Sequence, residues 1–241
     1  MIPGTPGAAL AAVFLDLGHT LVRERPSRAE IYAECARARG LEVSTGRMRE
    51  LMAEAQRALP RELDGAFRYS DPWFRAFQQR IFRDGLGLSD ELFEGLSAEL
   101  FARFEEARTF VLYPGARELL AELRARGLVL GLISNWSARL PRLLAALGLE
   151  RSFDFFLCSA IERLEKPEPA IFQLALRRAG VEPGAALHAG DHPDRDARGA
   201  LAVGIAAVLV DHQGQLSEAD RGLCPRVGDL PALGSLILEH A

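Results

Sequence analysis

Lysine is almost absent from this chain. Lys166 is the single lysine among the 29 lysine and arginine residues, so every other basic side chain is a guanidinium. An ammonium is a compact point charge, whereas a guanidinium is a planar fork. The use of lysine at this one position, in the string RLEKPEP of residues 163–169, therefore indicates a site that requires a point charge.

Cysteine is scarce as well. The three cysteines, Cys35, Cys158 and Cys224, lie far apart and form no CxxC pair. This spacing argues against a disulfide framework and against the common zinc-binding patterns. We therefore expect a protein of a reducing compartment.

Long apolar runs and basic clusters are missing too. No run approaches the roughly 18 apolar residues that a membrane span requires, and residues 1–7 do not have the pattern of a secretory leader. Arginine is spread along the chain and is balanced by 33 acidic residues, with a net charge of −4, so no basic block is present to bind a nucleic-acid backbone. We expect a cytoplasmic protein with neither a membrane nor a nucleic acid as its partner.

The periodicity of the apolar residues divides the chain. Residues 9–16, ALAAVFLD, form a continuous apolar run that is typical of a strand buried in a parallel sheet. From Ser27 to Arg108 the apolar residues recur at helical spacing, and this stretch contains no predicted strand. Helix starts are indicated at Ser27, Ser44, Asp71 and Ser89.

Strands and helices alternate in the remainder of the chain. The pattern predicts strands at 128–133, 155–158, 185–189 and 205–210, and helices at 116–126, 138–147, 168–179 and 194–203. Repeated βα units indicate an α/β fold with a doubly wound parallel sheet, to which the first strand also belongs. We therefore predict an α/β core of residues 1–23 and 111–241, with an inserted all-helical cap domain of residues 24–110.

Polar residues follow three of the predicted strands. Asp16, Ser134 and Asp191 each stand at the end of an apolar run. Ligands of doubly wound sheets bind beyond the carboxyl ends of the strands, so these side chains are expected to share one site. The helical insertion is expected to cover that site.

Four short motifs occur in order along the chain. They are Asp16-Leu17-Gly18-His19-Thr20, then Ser134-Asn135, then Lys166-Pro167, and last Gly190-Asp191-His192-Pro193-Asp194-Arg195-Asp196. In this order and spacing the chain resembles the haloacid dehalogenase-like (HAD) hydrolase superfamily, in the subfamily with a helical cap between the first two motifs. The resemblance covers essentially the whole chain and implies a Rossmann-like core.

The resemblance implies a role for each motif. Asp16 would attack phosphorus and form an aspartyl-phosphate, which divides one difficult displacement into two easier ones. Asp16, Asp191 and the backbone carbonyl of Gly18 would hold Mg²⁺, which prefers oxygen ligands. Ser134, the backbone around Asn135 and the ammonium of Lys166 would hold the oxygens of the transferring group. Asp196 would pair with the lysine and orient the metal ligands. Thr20 of the first motif belongs to the same set of catalytic residues.

The first motif departs from the family pattern at Gly18. The phosphatases of the family have a second aspartate here, which transfers a proton to and from the reacting groups. Glycine has no side chain to do so, and general acid–base help is commonly worth about 10²- to 10⁴-fold in rate. Slow turnover of poor leaving groups is therefore expected, with acyl and aryl phosphates less affected. His19 and His192 are the candidates for a replacement proton donor, but adjacent residues of an extended segment point in opposite directions, so His19 cannot simply take the place of the residue at 18.

Because other branches of the superfamily also lack the second aspartate, three other functions have to be weighed. A 2-haloacid dehalogenase lacks it but needs no metal, and Gly190-Asp191 has the metal-binding form. A phosphonate C–P hydrolase uses a cap lysine, and residues 24–110 contain none. A catalytically impaired protein that binds a phosphorylated ligand or a protein partner remains open. The favoured interpretation is a phosphatase of a small phosphorylated metabolite, and the sequence does not identify that metabolite.

Overall fold

A computed structural model describes residues 9–220 and 222–239 of the chain. Residues 1–8, 221 and 240–241 of the predicted core lie outside this range. The strands are β1 (Ala12–Leu15), β2 (Val22–Glu24), β3 (Glu62–Leu63), β4 (Ala66–Phe67), β5 (Phe110–Leu112), β6 (Val129–Ser134), β7 (Phe155–Cys158), β8 (Ala186–Gly190), β9 (Ala206–Val210) and β10 (Arg226–Val227). The helices are α1 (Arg28–Arg37), α2 (Thr45–Ala58), α3 (Asp71–Gln79), α4 (Asp90–Arg103), α5 (Ala116–Ala125), α6 (Leu140–Ala146), α7 (Ser159–Glu162), α8 (Pro169–Ala179), α9 (Gly199–Leu201) and α10 (Leu230–Leu238).

The chain divides into two compact units. The first, here called the α/β unit, comprises the chain up to Arg23, Leu112–Asn135, and the chain from Gly148 onward. The second, here called the helical unit, comprises Glu24–Val111 and Trp136–Leu147. Residues 136–147 thus join the helical unit, whereas the sequence pattern assigned them to the α/β core.

The α/β unit contains a six-stranded sheet in the order β10-β9-β8-β1-β6-β7, and every neighbouring pair is parallel. This sheet confirms the predicted fold class. All four residues of β1 are fully buried, as expected for a strand with neighbours on both sides and helices on both faces. Because β1 lies between β8 and β6 and is parallel to both, the carboxyl ends of these three strands lie at the same edge of the sheet.

The helical unit has its own apolar core. Ser27 and Ser44 accept hydrogen bonds from the backbone of the first turns of α1 and α2, which confirms the two helix starts predicted there. Aromatic rings fill the centre of the unit, where Tyr32 stacks on Phe82 with ring centroids 5.6 Å apart. These rings are buried together with aliphatic side chains such as Ile81 and Leu96, so the unit has a hydrophobic core that does not depend on the sheet.

The segment after β6 is attached to the helical unit by ion pairs. The guanidinium of Arg139, next to α6, contacts Asp71 at 2.7 Å and also pairs with Glu105. The same guanidinium lies 4.6 Å from the ring centroid of Phe101. These contacts are long-range in sequence, so periodicity alone does not reveal them.

The structure contains elements that the sequence pattern missed. The expectation of no strand between Ser27 and Arg108 is wrong, because β3 and β4 form a short hairpin there. Its turn is Asp64-Gly65, with positive φ at both residues (49° and 79°), and an Asp-Gly pair is a strong hairpin signal. The predicted helix at 194–203 is a π-helical turn, Pro193–Arg198, followed by α9. Strand β10 and helix α10 were not predicted.

The helices in the described part of the chain are too short or too polar to cross a membrane.

Candidate active site

Asp16 follows β1 directly and is nearly buried, with 6% of its surface exposed. Its backbone N–H donates to the carbonyl of Ala189 on β8 at 2.9 Å, which holds the residue at the strand end. The carboxylate accepts hydrogen bonds from Lys166 Nζ (2.7 Å) and Ser134 Oγ (3.3 Å) on Oδ1, and from Thr20 Oγ1 (3.4 Å) on Oδ2. Residues from three of the four motifs therefore meet at this carboxylate.

Lys166 is fixed at both its backbone and its side chain. Asn135 Oδ1 accepts from the Lys166 N–H at 2.8 Å, and Asn135 Nδ2 donates to the Lys166 carbonyl at 2.9 Å. The ammonium lies between two carboxylates, 2.7 Å from Asp16 Oδ1 and 2.5 Å from Asp196 Oδ1. Burial alone would lower the pKa of Lys166, but Asp16 and Asp196 outweigh it, and the pKa is raised. Lys166 is a permanent cation in this site.

The carboxylate of Asp196 is held by three donors. Oδ1 receives Lys166 Nζ and lies 3.0 Å from His188 Nε2, and Oδ2 accepts the backbone N–H of His192 at 3.0 Å. Burial would raise the pKa of Asp196, but Lys166 and His188 lower it well below the ordinary value. Asp196 is therefore ionised and has one fixed orientation.

Gly190 makes room for this arrangement. A Cβ at position 190 would lie 2.2 Å from Asp196 Cγ, a separation that real Cβ atoms do not show. The absence of a side chain at Gly190 thus allows the carboxylate to lie directly over the end of β8. This close approach gives a physical reason for the glycine in the fourth motif.

Asp191 completes an acidic cluster. Asp16, Asp191 and Asp196 each offer a carboxylate oxygen, and these three oxygens lie within 4.8 Å of one another. Burial, followed by the charges of Asp16 and Asp196, raises the pKa of Asp191 to about 7. Three carboxylates face the single ammonium of Lys166, so the cluster holds more negative charge than that ammonium balances.

This donor set fits a divalent cation. Carboxylate oxygens are the ligands that Mg²⁺ prefers, and the uncompensated charge around Asp191 is what such a cation would neutralise. Asp16 and Asp191 were predicted as ligands, and the cluster brings both together with Asp196. Gly18, the third predicted ligand, lies in the turn after Asp16, where it pairs with Val22.

The two histidines weighed as proton donors lie in different settings. His19 is exposed and has a positive φ of 59°. His192 precedes the π-helical turn, and its Nδ1 accepts the backbone N–H groups of Asp194 (3.2 Å) and Arg195 (3.3 Å). Burial, with the charge of Arg195 second, lowers the pKa of His192, so this ring is neutral and acts as a helix cap.

His188 is a site residue that the motif pattern missed. It lies on β8 and is completely buried against Asp196. The sequence contained a signal for it, because a histidine interrupts the apolar run of residues 185–189, AALHA. A buried polar side chain inside a strand usually has a specific hydrogen-bond partner. The partner here is Asp196, eight residues further along the chain.

The site thus combines a buried carboxylate, a fixed ammonium, hydroxyl donors and an acidic cluster at the carboxyl edge of a parallel sheet. The sequence matches the haloacid dehalogenase-like hydrolase family over residues 10–204. This chain belongs to the haloacid dehalogenase-like hydrolase family.

Individual relatives carry different names. The human haloacid dehalogenase-like hydrolase domain-containing protein 3 is 34% identical over 231 residues, which cover 92% of this chain and 90% of the relative. A phosphoserine phosphatase from Thermus thermophilus is 32% identical over 237 residues, which cover 90% of this chain and 95% of the relative. The crystal structure of a 2-haloacid dehalogenase from Pseudomonas syringae pv. Tomato is 29% identical, with a TM-score of 0.68, and the match covers 96% of this chain and 100% of that one.

Proposed function

We propose that this protein is a Mg²⁺-dependent phosphatase that hydrolyses a small phosphorylated metabolite through an aspartyl-phosphate on Asp16. The proposal rests on one observation. The carboxylate of Asp16 is in contact with the ammonium of Lys166 and lies in a cluster with Asp191 and Asp196 that carries excess negative charge. With a divalent cation to neutralise the excess charge, such a site would hold a nucleophilic carboxylate and an incoming phosphate at the same point.

The first half of the reaction is a displacement at phosphorus. An oxygen of Asp16 forms a bond to the phosphorus atom while the bond from phosphorus to the substrate oxygen breaks, and that oxygen leaves with the electron pair. Water then attacks the phosphorus of the aspartyl-phosphate, which releases inorganic phosphate and one proton and restores the carboxylate. Mg²⁺, when bound by Asp16 and Asp191, supplies positive charge to the phosphoryl oxygens.

The side chains around Asp16 have separate tasks in this scheme. Lys166 lowers the repulsion between the carboxylate and an anionic substrate and stabilises charge in the transition state. The hydroxyls of Thr20 and Ser134 donate hydrogen bonds to the carboxylate of Asp16. Once a phosphoryl group is attached to that carboxylate, the same hydroxyls would donate to the phosphoryl oxygens. Asn135 positions Lys166 by its two hydrogen bonds, and Asp196 positions it from the other side.

Gly18 restricts the leaving group in this proposal. Position 18 has no side chain that donates a proton, so the leaving oxygen departs without help from that residue. Departure of this kind is easiest for oxygens of low basicity, as in acyl and aryl phosphates. The T. thermophilus relative named phosphoserine phosphatase supports a phosphate ester as the class of substrate.

Phosphate release tests the proposal. The protein is incubated with p-nitrophenyl phosphate, acetyl phosphate and a set of alkyl phosphate metabolites, each with Mg²⁺ and with EDTA. We expect Mg²⁺-dependent release that is fastest for the first two substrates and is lost in D16N. Activity in EDTA, or equal activity in D16N, would contradict the roles of the metal and of Asp16.

A second candidate function is a 2-haloacid dehalogenase, which the structural relative of that name favours. In that reaction Asp16 would attack the carbon that carries the halogen, and a halide ion would leave. Halide release from 2-chloropropionate in EDTA distinguishes the two activities, because attack on carbon requires no metal. We expect none.

A third candidate is a catalytically impaired member that binds a phosphorylated ligand or a protein partner, which the loss of the second aspartate at Gly18 favours. Calorimetric binding of a phosphorylated metabolite without its turnover would support this alternative.

A further inference from the structure

The least expected polar group of the α/β unit is the imidazole of His188. It lies in the middle of the sheet, has no exposed surface, and touches none of the predicted metal ligands Asp16, Gly18 or Asp191 by a hydrogen bond that the structure describes. Its Nε2 lies 3.0 Å from Asp196 Oδ1, and its Nδ1 has no hydrogen-bond partner among the described residues.

These contacts determine the protonation of the ring. A carboxylate oxygen can only accept a hydrogen bond, so the nitrogen that faces Asp196 must carry the proton. A proton on Nδ1 would be a buried donor without an acceptor, which costs about 1–3 kcal/mol. His188 is therefore neutral, with its proton on Nε2.

The alternation of side chains along β8 explains how His188 reaches Asp196. Residues i and i+2 of a strand lie on the same face of a sheet, so the imidazole of His188 and the empty Cβ position of Gly190 share one face. Asp196 occupies the space over Gly190 and its carboxylate points to His188. The ring is confined on this face by Phe172 of α8, an edge contact with centroids 5.3 Å apart.

His188 and Lys166 bind the same oxygen of Asp196. Lys166 Nζ lies 2.5 Å from Oδ1, and the same ammonium lies 2.7 Å from the Asp16 oxygen. Rotation of the Asp196 carboxylate would withdraw Oδ1 from the ammonium and leave Lys166 with one partner. The imidazole opposes that rotation, because its Nε2–H would lose the acceptor that it has in Asp196.

We infer that His188 is a positioning residue of this site: its Nε2–H fixes the carboxylate of Asp196, which fixes the ammonium of Lys166 against the nucleophilic carboxylate of Asp16. His188 exchanges no proton with the substrate. Its contribution is geometric, since it keeps Lys166 at one distance from Asp16 throughout the reaction.

Two substitutions separate the hydrogen bond from the packing. His188→Gln retains an N–H donor at about the reach of Nε2, and His188→Met fills similar space without a donor. With p-nitrophenyl phosphate and Mg²⁺, we expect kcat of H188M to fall about 10-fold or more with KM little changed, and H188Q to recover most of that loss. This kinetic arm rests on the proposed phosphatase function.

A second measurement does not depend on turnover. Because Lys166 is the only lysine, protein labelled with ¹⁵N-lysine gives a single side-chain ammonium resonance. We expect this resonance to be sharp and protected from solvent exchange in the wild type and in H188Q, and to shift and broaden in H188M. The imidazole ¹⁵N spectrum of the wild type should show His188, assigned by its loss in H188Q, protonated on Nε2.

The outcomes are distinguishable. No hydrolysis of any phosphate by the wild type would sink the proposed function, while the lysine resonance would still test the positioning of Lys166. Equal loss of activity in folded H188Q and H188M would show that the ring acts by packing and would overturn the inference. An unchanged lysine resonance in folded H188M would overturn it too. So would a proton on Nδ1 in the wild type, a result that does not depend on whether H188M folds.

Discussion

The ammonium of Lys166 lies 2.7 Å from Oδ1 of Asp16, although 150 residues separate them in the chain. The same ammonium is 2.5 Å from Asp196, and both contacts are buried. The one lysine of the sequence is therefore the charge that balances the predicted nucleophile.

Replacement of this lysine should abolish turnover and weaken the fold. Lys166→Met leaves two buried carboxylates without their cation, which costs about 3–5 kcal/mol in free energy of unfolding. Lys166→Arg keeps the charge, but a planar guanidinium does not fit between the two carboxylates as the ammonium does. We expect kcat to fall at least 100-fold in both variants, measured with p-nitrophenyl phosphate. Wild-type turnover by K166R would show that charge alone is required.

Asp191 should make the stability of the metal-free protein depend on pH. Its pKa is raised to about 7 by burial and by Asp16 and Asp196, whereas an unfolded aspartate titrates near 4. Between these values the folded state retains a proton that the unfolded state has lost, so the free energy of unfolding falls as the pH rises from about 4 to about 7. The Asp191 contribution is therefore present at acidic pH and lost above about 7.

The variant D191N removes this titration. In EDTA, we expect D191N to differ little from the wild type at pH 5 and to be more stable by about 1–3 kcal/mol at pH 8, in thermal or urea unfolding. Mg²⁺ at pH 8 should raise the Tm of the wild type and leave that of D191N nearly unchanged, because binding to the folded state stabilises it. If metal-free D191N were less stable than the wild type at pH 8, the inference that the cluster carries excess negative charge would be wrong.

An aspartate at position 18 should extend the range of substrates. Gly18→Asp introduces a carboxyl group that can protonate a leaving oxygen, a contribution commonly worth about 10²- to 10⁴-fold. We expect G18D to hydrolyse alkyl phosphates at least 10-fold faster than the wild type, with a smaller gain for p-nitrophenyl phosphate. Gly18→Asn is the matched control, since it has the same shape without the acid. An equal gain in rate for G18N would show that the shape of the new side chain, and not its acid group, causes the increase.

A methyl group at position 190 should disrupt the site. In Gly190→Ala the added Cβ would lie 2.2 Å from Asp196 Cγ, so the carboxylate must move away from Lys166 and His188. We expect a loss of about 1–3 kcal/mol in unfolding free energy and of most of the activity. Gly46→Ala in α2 is the control, because its nearest neighbour, Ser44 Oγ, is 3.8 Å away. That variant should retain activity and equal or exceed wild-type stability.

Much of the α/β unit was predictable from local pattern. The strand predicted at 155–158 coincides with β7, the one at 185–189 is shifted by one residue from β8, and the one at 205–210 begins one residue before β9. Continuous apolar runs bounded by glycine or polar residues are a strong local signal. Strand β10 has only two residues, Arg226 and Val227, and a segment of that length carries no periodicity. Helix α10 was missed as well.

The sequence by itself determined which residues stand at the strand ends. Asp16, Ser134 and Asp191 end apolar runs, and the alternation of strands and helices places such ends at one edge of a parallel sheet. The single lysine among arginines could also be recognised from the sequence alone. Both the polar residues at the strand ends and this lysine are features of composition and of short stretches of sequence.

Only the tertiary structure decided what each of these groups touches. Asp196 lies over Gly190 and accepts a hydrogen bond from His188, although a turn separates these residues in the chain. Arg139 forms an ion pair with Asp71, which is remote from it in the sequence. Hydrogen bonds and pKa values depend on separations of a few ångströms and on burial, and neither is encoded in periodicity. The motifs therefore indicated the chemistry of the site, and packing determined its geometry and its charge.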